Sequence, residues 1–247
     1  MVKLNSIVRL LNKELKIKKI KDQSKNGLQV RASENISKVG LATDACMDAF
    51  KKAKKLGCNL VIVHHGLFWK KQKDTAGLIK KKVRFLKKNK ISLYAAHLPL
   101  DKHKKYGNNA NLFILLDAKP KKLFRGVGYI GDLKKASNVN SIKKELEKKL
   151  KAKCMVWSFG KKKIKKIAIV SGYGGGGDIP EAVKKSADLF ITGEVSHGSY
   201  HRAKEGRINV IAAGHYKTET IGVKTLGELL KEKFNLKTVF IYSPTGM

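Results

Sequence analysis

Apolar residues recur along this chain in two rhythms. Leu4, Ile7, Val8, Leu11 and Leu15 are spaced by three and four, which predicts an amphipathic helix over 5–17. The runs Val39-Gly40-Leu41-Ala42-Thr43 and Leu60-Val61-Ile62-Val63 are short and unbroken, as strands buried on both faces require. Between them Ala45, Met47, Ala49, Phe50 and Leu56 predict a helix, with Asp44 as its N-cap and Gly57 as its end. A helix over 77–89 leads to a strand over 91–96, which runs into His97-Leu98-Pro99-Leu100-Asp101. The second half repeats the plan. A strand at 167–170, a glycine-rich loop, a helix over 180–187 and a strand at 189–192 ending in Gly193-Glu194 follow one another. A helix over 197–205 and a strand at 208–212 then lead into Gly214–Glu219. Strands alternating with helices specify an α/β fold with mostly parallel sheets.

The halves also match in detail. LYAAHLPLD (93–101) and IAAGHYKTE (211–219) both read strand, small residues, His, three residues, carboxylate, and LVIVHHG and LFITGEV occupy matching places upstream. Two similar halves, 1–118 and 167–247, are therefore expected, joined by a basic segment over 119–166 with a helix at 139–151. The chain of 247 residues has room for two ordinary domains. Its apolar runs are far too short to span a bilayer, and Arg9 and Lys13 interrupt any signal-peptide pattern. Cys46, Cys58 and Cys154 form no CxxC pair, so neither a disulfide framework nor a zinc knuckle is expected. Cys58 reads as a core residue. These features predict a soluble cytoplasmic protein.

Charge changes the picture. Lys and Arg number 54 against 19 Asp and Glu, a net of +35, and only six of the 54 are Arg. Residues 1–166 carry 44 basic and 11 acidic side chains, whereas 167–247 carry 10 and 8. A thermophile's lysines are paired with glutamates in networks, and here the partners are too few. Self-repulsion on this scale costs stability, which points to a polyanionic partner. Lysine binds phosphate as a point charge, so nucleic acid is expected to be held by its backbone, without sequence preference and with steep salt dependence. Lys161, Lys162, Lys163, Lys165 and Lys166 are the densest run and the expected contact.

Side chains at the C-terminal ends of parallel strands converge on one crevice. Those ends supply His64, His65, His97 and Asp101 from the first half and Glu194, His215 and Glu219 from the second. His215 and Glu219 are four apart, one helical turn; His97 and Asp101 share the spacing, although Pro99 argues against a regular helix there. A lone His at a strand end is ordinarily a structural hydrogen-bonder. The adjacent His64-His65 and two His-x3-acid pairs in matching contexts favour a metal site instead. Imidazoles and carboxylates without thiols suit Zn, Mn, Fe or Ni, and the donors exceed the needs of one tetrahedral ion. Two divalent ions sharing a carboxylate would use them, and such pairs activate water for hydrolysis.

GCNLVIVHHGLFW (57–69), AAHLPLD with YGNNA (95–110), ITGEVSH (191–197) and GHYKTE (214–219) together resemble the Nif-three-like family, also known as GTP cyclohydrolase I type 2 homologues. The resemblance implies two similar intertwined α/β domains with a dinuclear metal site in the cleft between them, in a toroidal homohexamer. Carried over by motif, the ligands are His64, His65, Asp101, His215 and Glu219, with His97 beside the site. Longer relatives insert a further domain where this chain has only its basic segment. The cyclohydrolase label implies attack of an activated water on guanine C8, with Glu194 or His97 moving protons. Nothing in the residues singles out GTP from other phosphorylated or nucleotide-like substrates. The competing reading is a toroidal nucleic-acid-binding protein whose metals are structural.

Weaker signals remain. Gly172-Tyr173-Gly174-Gly175-Gly176-Gly177 matches G-x-G-x-x-G, but Asp178 and Pro180 predict a helix that starts after the glycines, unlike a dinucleotide fingerprint. A loop admitting a substrate phosphate is the expectation. His197 and His201 read as surface residues or site-lining proton carriers, and His103 as exposed. Trp69 is expected in the core or a subunit interface, and Trp157 and Phe159 are the better candidates for stacking on a base.

Overall fold

The computed structural model of the chain describes residues 1–71, 73 and 76–247. Its elements run β1 (Val2–Lys3), α1 (Leu4–Glu14), a 3-10 turn (Ile17–Lys19), β2 (Gly27–Val30), β3 (Asn35–Ile36), β4 (Lys38–Asp44), α2 (Met47–Lys55), β5 (Leu60–His65), α3 (Leu78–Lys88) and β6 (Ser92–Ala95). Then come α4 (Leu98–Asp101), α5 (Asn108–Leu115), β7 (Ala118–Phe124), β8 (Gly128–Ser137), α6 (Val139–Leu150), β9 (Met155–Ser158) and β10 (Ile164–Tyr173). The chain closes with α7 (Asp178–Lys184), β11 (Leu189–Glu194), α8 (Ser199–Glu205), β12 (Asn209–Ala212), α9 (His215–Phe234) and β13 (Lys237–Phe240). Two compact units result: Met1–Leu100 with Gly222–Ser243, and Asp101–Ile221 with Pro244–Met247. The chain passes from one to the other inside α4, again inside α9 and a third time after Ser243. No helix among the described residues is long and apolar enough to cross a membrane.

The first unit is built on a sheet that, among the described residues, has the order β13-β4-β5-β6-β2. β13, β4, β5 and β6 are parallel, and β2 closes the edge antiparallel to β6. Alternation decides which helix each side chain meets. Val61, Val63, Leu93 and Ala95 pack with Ala49, Phe50 and Ala53 of α2 and Leu86 of α3. On β6, Tyr94 is fully buried and its hydroxyl donates to Asn12 Oδ1 of α1 at 2.9 Å. Both faces are covered, which is why β4 and β5 read as unbroken apolar runs. Cys58 lies in this core, as expected. α2 is not capped by Asp44. Cys46 is its N-cap and accepts from the Ala49 amide at 3.4 Å, while Asp44 is still part of β4 and is engaged elsewhere.

The second unit has the order β7-β8-β10-β11-β12-β9 among the described residues. β10, β11 and β12 are parallel; β8 and β9 flank them antiparallel, and β7 pairs with β8. Ile167, Ile169, Leu189 and Ile191 face Leu112 and Phe113 of α5 and Ile142 and Leu146 of α6. Ala168, Val170 and Phe190 face Ile179 and Ala182 of α7 and Ala203 of α8. The sheets are thus mixed, with four adjacent parallel strands in the first unit and three in the second.

The basic stretch 119–166 lies within this second unit and supplies most of β7, all of β8, α6 and β9, and the start of β10. Its lysines obscure the strands because they come in adjacent pairs (Lys121-Lys122, Lys134-Lys135, Lys165-Lys166) that break the alternation, or lie on the β7 edge, where lysine and proline are tolerated. The C-terminal strand β13 belongs to the first unit's sheet, so that unit is discontinuous in sequence.

Candidate metal-binding site

In the first unit β5 ends in His64 and His65, and the residue after neighbouring β6 leads to His97. Parallel pairing brings these ends together: Val63 is opposite Ala95. The ring centroids of His64 lie 4.7 Å from His65 and 5.0 Å from His97, and those of His65 and His97 are 5.5 Å apart. One nitrogen from each ring falls within 4.8 Å of the others, a grouping that could hold a metal ion. Each ring is oriented through Nδ1. His64 donates to the Ala96 carbonyl at 2.9 Å, His65 pairs with Asp44 Oδ1 at 2.8 Å, and His97 with Asp22 Oδ1 at 3.0 Å. Such anchoring fixes the tautomer and presents Nε2 as the coordinating nitrogen.

Asp22 is the hub of a further network. It accepts from the amides of Ser24 and Leu98, both at 3.0 Å, and from Asn26 Nδ2 at 2.8 Å. Burial works against its charge, but His97, Asn26 and the Ser24 N–H outweigh it and hold the carboxyl well below the usual carboxylate range. Trp69 packs edge-on to His97 at 4.9 Å and lies 6.1 Å from His65, so it stands beside the imidazoles.

In the second unit Asp101 closes α4, Glu194 ends β11, and His215 and Glu219 begin α9. Pro99 does not prevent a helical turn over 98–101, because proline is tolerated in a first turn, where its missing N–H costs nothing. Asp101 is 5 % exposed and accepts from Asn108 Nδ2 at 2.8 Å and Ser171 Oγ at 3.1 Å. One carboxylate oxygen each of Asp101 and Glu219 lies within 4.8 Å of the other. His215 and Glu219 are one turn apart on α9, as their spacing predicts, with Nε2 and Oε2 at 3.1 Å; Glu194 Oε1 takes Nδ1, also at 3.1 Å. Burial would depress the imidazole, but Glu219 and Glu194 prevail and raise it to about 9. Without metal, this histidine carries a proton between two carboxylates.

Gly172 shapes the same place. Its φ is +67°, and a methyl group there would overlap Glu219 Oε1 and come within 3.2 Å of His215 Nε2. Its backbone is fixed by Thr218 Oγ1, which accepts the Gly172 N–H at 3.0 Å, and by Thr192 Oγ1, which donates to its carbonyl at 3.2 Å. Only a residue without Cβ leaves these donors their space. Beyond it, α7 starts at Asp178, after the glycines, and Arg202 donates to the Gly176 carbonyl.

Other residues lie elsewhere. Lys161, Lys162, Lys163 and Lys165 are exposed and Lys166 half-buried in the second unit. Lys161 pairs with Asp188 at 3.3 Å, and Lys165 and Lys166 donate to the Lys134 and Lys185 carbonyls. Trp157 and Phe159 each pack at 5.3 Å against Tyr200. His197 and His201 are exposed. His103 is half-buried and not simply exposed: its Nδ1 accepts the Lys105 and Tyr106 amides at 3.2 and 3.0 Å. Sequence reasoning missed Asp22 altogether and gave Asp44 a different task. Asp22 precedes its partner by 75 residues, and no local pattern marks such a pair.

Fold and side chains together define a two-unit mixed α/β protein in which each unit groups imidazole or carboxylate donors suited to a divalent metal. The chain belongs to the Duf34/NIF3 (NGG1p interacting factor 3) family, whose model matches residues 2–245. It is 46% identical over 249 residues to the GTP cyclohydrolase 1 type 2 homolog of Pyrococcus horikoshii, covering 98% of this chain and 99% of the relative. Among solved structures it is similar to protein ybgI, of unknown function, at a TM-score of 0.94 and 33% identity, covering 100% of both chains. It is also similar to a protein of Thermus thermophilus, TTHA1606, at a TM-score of 0.90 and 37% identity over 100% of both.

Proposed function

We propose that the protein binds two divalent metal ions of the Zn, Mn, Fe or Ni type through His64, His65, Asp101, His215 and Glu219, and hydrolyses a phosphorylated or nucleotide-like small molecule. The observation that carries this reading is the orientation of the donors. Three imidazoles present one nitrogen each within 4.8 Å, every Nδ1 is held by an oxygen, and Asp101 and Glu219 bring buried carboxylate oxygens equally close to each other. Donors fixed in this way are what a metal site needs and a structural histidine does not. Bound ions of this kind polarise a phosphoryl or carbonyl oxygen and lower the pKa of water. Glu194, on His215 Nδ1, and His97, on Asp22, are the groups we assign to moving protons. The names of the curated relatives agree with a nucleotide substrate.

Elemental analysis of wild type beside His215→Ala tests the metal. About two ions per chain falling to one or none supports the reading, and no tightly held metal in wild type purified without chelator overturns it. Activity found by screening nucleotides should vanish in His65→Ala and survive neutralising Lys161, Lys162, Lys163, Lys165 and Lys166.

A second reading has its own observation, the 44 basic against 11 acidic side chains of residues 1–166. It is a ring, a homohexamer as the resemblance implies, that holds nucleic-acid backbone on its lysines while its metals are structural. Binding that weakens steeply with salt, and whose salt slope flattens in the five-lysine variant, supports it. An unchanged slope removes those lysines as the contact.

A further inference from the structure

We propose that a cavity at the N-terminal end of β10 is a binding pocket for an oligophosphate chain, independent of the metal reading. It encloses about 270 Å³ between β7, β8, β10 and the end of α7, and Lys121, Lys122, Lys166 and Lys185 line it with one carboxylate, Asp132. Gly172, beside the metal donors, is six residues further along the same strand, about 20 Å at strand rise. The pocket is therefore a separate place on the second unit.

Its construction is specific. Consecutive strand residues point to opposite faces, so Lys121 and Lys122 would ordinarily part company. β7, however, steps from Pro120 opposite Gly131 to Lys122 opposite Ile130, two residues against one. Lys121 is the extra residue of a bulge, and both lysines reach the cavity. β8 is irregular as well: it takes five steps, from Ser137 to Asp132, where β10 takes two, from Ile164 to Lys166. Bulges that re-aim side chains are common beside binding sites.

The charge is matched to an anion with several negative groups. Asp132 pairs with Lys121, and Glu181 lies 3.7 Å from Lys185 Nζ. Lys166 Nζ donates to the Lys185 carbonyl at 3.3 Å, which turns its ammonium across the cavity. Four ammonium groups against one lining carboxylate leave a surplus that a single phosphate does not use. Among the described lining residues Ile130 has the only apolar side chain and none is aromatic, so no base is stacked and the phosphates alone are recognised. Lysine suits this task because its point charge does not impose the planar geometry of a guanidinium.

Calorimetric titration of the full-length protein with tripolyphosphate and with inorganic phosphate tests the pocket. Wild type should bind tripolyphosphate more tightly than phosphate. The Lys121→Ala/Lys122→Ala variant should lose about tenfold or more in affinity, since two of the four ammonium groups are removed. Lys161→Ala/Lys162→Ala/Lys163→Ala should bind like wild type, and so should His65→Ala, which separates this pocket from the metal donors. A single-stranded oligonucleotide titrated in parallel identifies the source of the phosphates. Equal loss in the Lys121/Lys122 variant points to a nucleic-acid backbone, and unchanged oligonucleotide binding points to a free oligophosphate; either supports the pocket. Tripolyphosphate affinity that is unchanged in the Lys121/Lys122 variant, lost equally in the Lys161–163 variant, or absent in wild type overturns it.

Discussion

In the first unit three imidazoles stand at or just beyond the ends of neighbouring strands, and each gives its Nδ1 to an oxygen outside the donor set: a backbone carbonyl, Asp44 or Asp22. In the second unit the one imidazole rises from the first residue of a helix and lies between two carboxylates, one of which, Glu219, is itself a candidate ligand. The first arrangement spends its negative charge on orienting rings. The second stores a proton that a metal must displace, because His215 is held at about 9 while a ligating imidazole is neutral. Donor count alone therefore does not set affinity, and the units should respond differently to substitution and to pH.

The largest break in the comparison comes from Gly172→Ala. The methyl group overlaps Glu219 Oε1, and φ of +67° adds about 1–2 kcal/mol of backbone strain. Metal content should fall by at least one ion per chain, read by elemental analysis. Gly57→Ala is the control: φ there is +71° but nothing lies within 4 Å of the added carbon, so it should cost a similar strain in thermal unfolding and no metal.

Asp44→Asn and Glu194→Gln come next. Asp44 orients His65 and stays outside the donor set, so its amide should weaken metal binding about 10–100-fold at all pH values. Glu194→Gln removes one of the two carboxylates that keep His215 protonated. It should weaken binding at high pH and less at neutral pH, where easier proton loss offsets the poorer ligand. Metal titrations at pH 7 and pH 9.5 separate the two variants, and identical profiles would sink the contrast.

The pH dependence of the wild type follows with its sign. His215 is raised from 6.5 in the unfolded chain to about 9 in the folded one, so its contribution to stability is complete below about 6.5 and is lost as pH rises through 9. Metal-free protein should lose thermal stability over that window, and His215→Ala should flatten the loss. Affinity for the ion that His215 binds should move the other way, rising by about tenfold per pH unit up to pH 9 as the imidazole's proton leaves with binding.

Much of this contrast was legible beforehand, and the exceptions share a cause. The apolar runs of β4, β5, β10 and β11 betray buried parallel strands, and polar residues at their ends stand out for that reason. His215 and Glu219 needed only helical spacing. Asp22, Asp44 and Ser171 act through partners 75, 21 and 70 residues away, at which distance spacing carries no information. β7 and β13 were hidden too. AKPKKLF alternates buried and exposed positions too poorly to read as a strand, and KTVF is a strand only because β4 offers it a parallel edge. The helical turn at Asp101 was obscured by Pro99, whose position in the first turn was not apparent from composition.

The smallest effect belongs to Ser171→Ala, and it tests how much the second unit relies on anchoring. Ser171 Oγ donates to Asp101 Oδ1 at 3.1 Å, and Asn108 Nδ2 donates to the same oxygen at 2.8 Å. Losing the Ser171 donor to a buried carboxylate should cost about 1–2 kcal/mol, seen as a fall of a few degrees in Tm. Metal affinity should drop less than tenfold, because Asn108 still holds the oxygen in place. The measurement is most telling beside Asp44→Asn. Asp44 holds His65 through Nδ1, whereas Asn108 still donates to Asp101 Oδ1 when Ser171 is gone, so the same kind of deletion should hurt the first unit's ligand more than the second's. A Ser171→Ala variant that loses metal as severely as Asp44→Asn would show that the carboxylates, and not only the imidazoles, depend on each single contact.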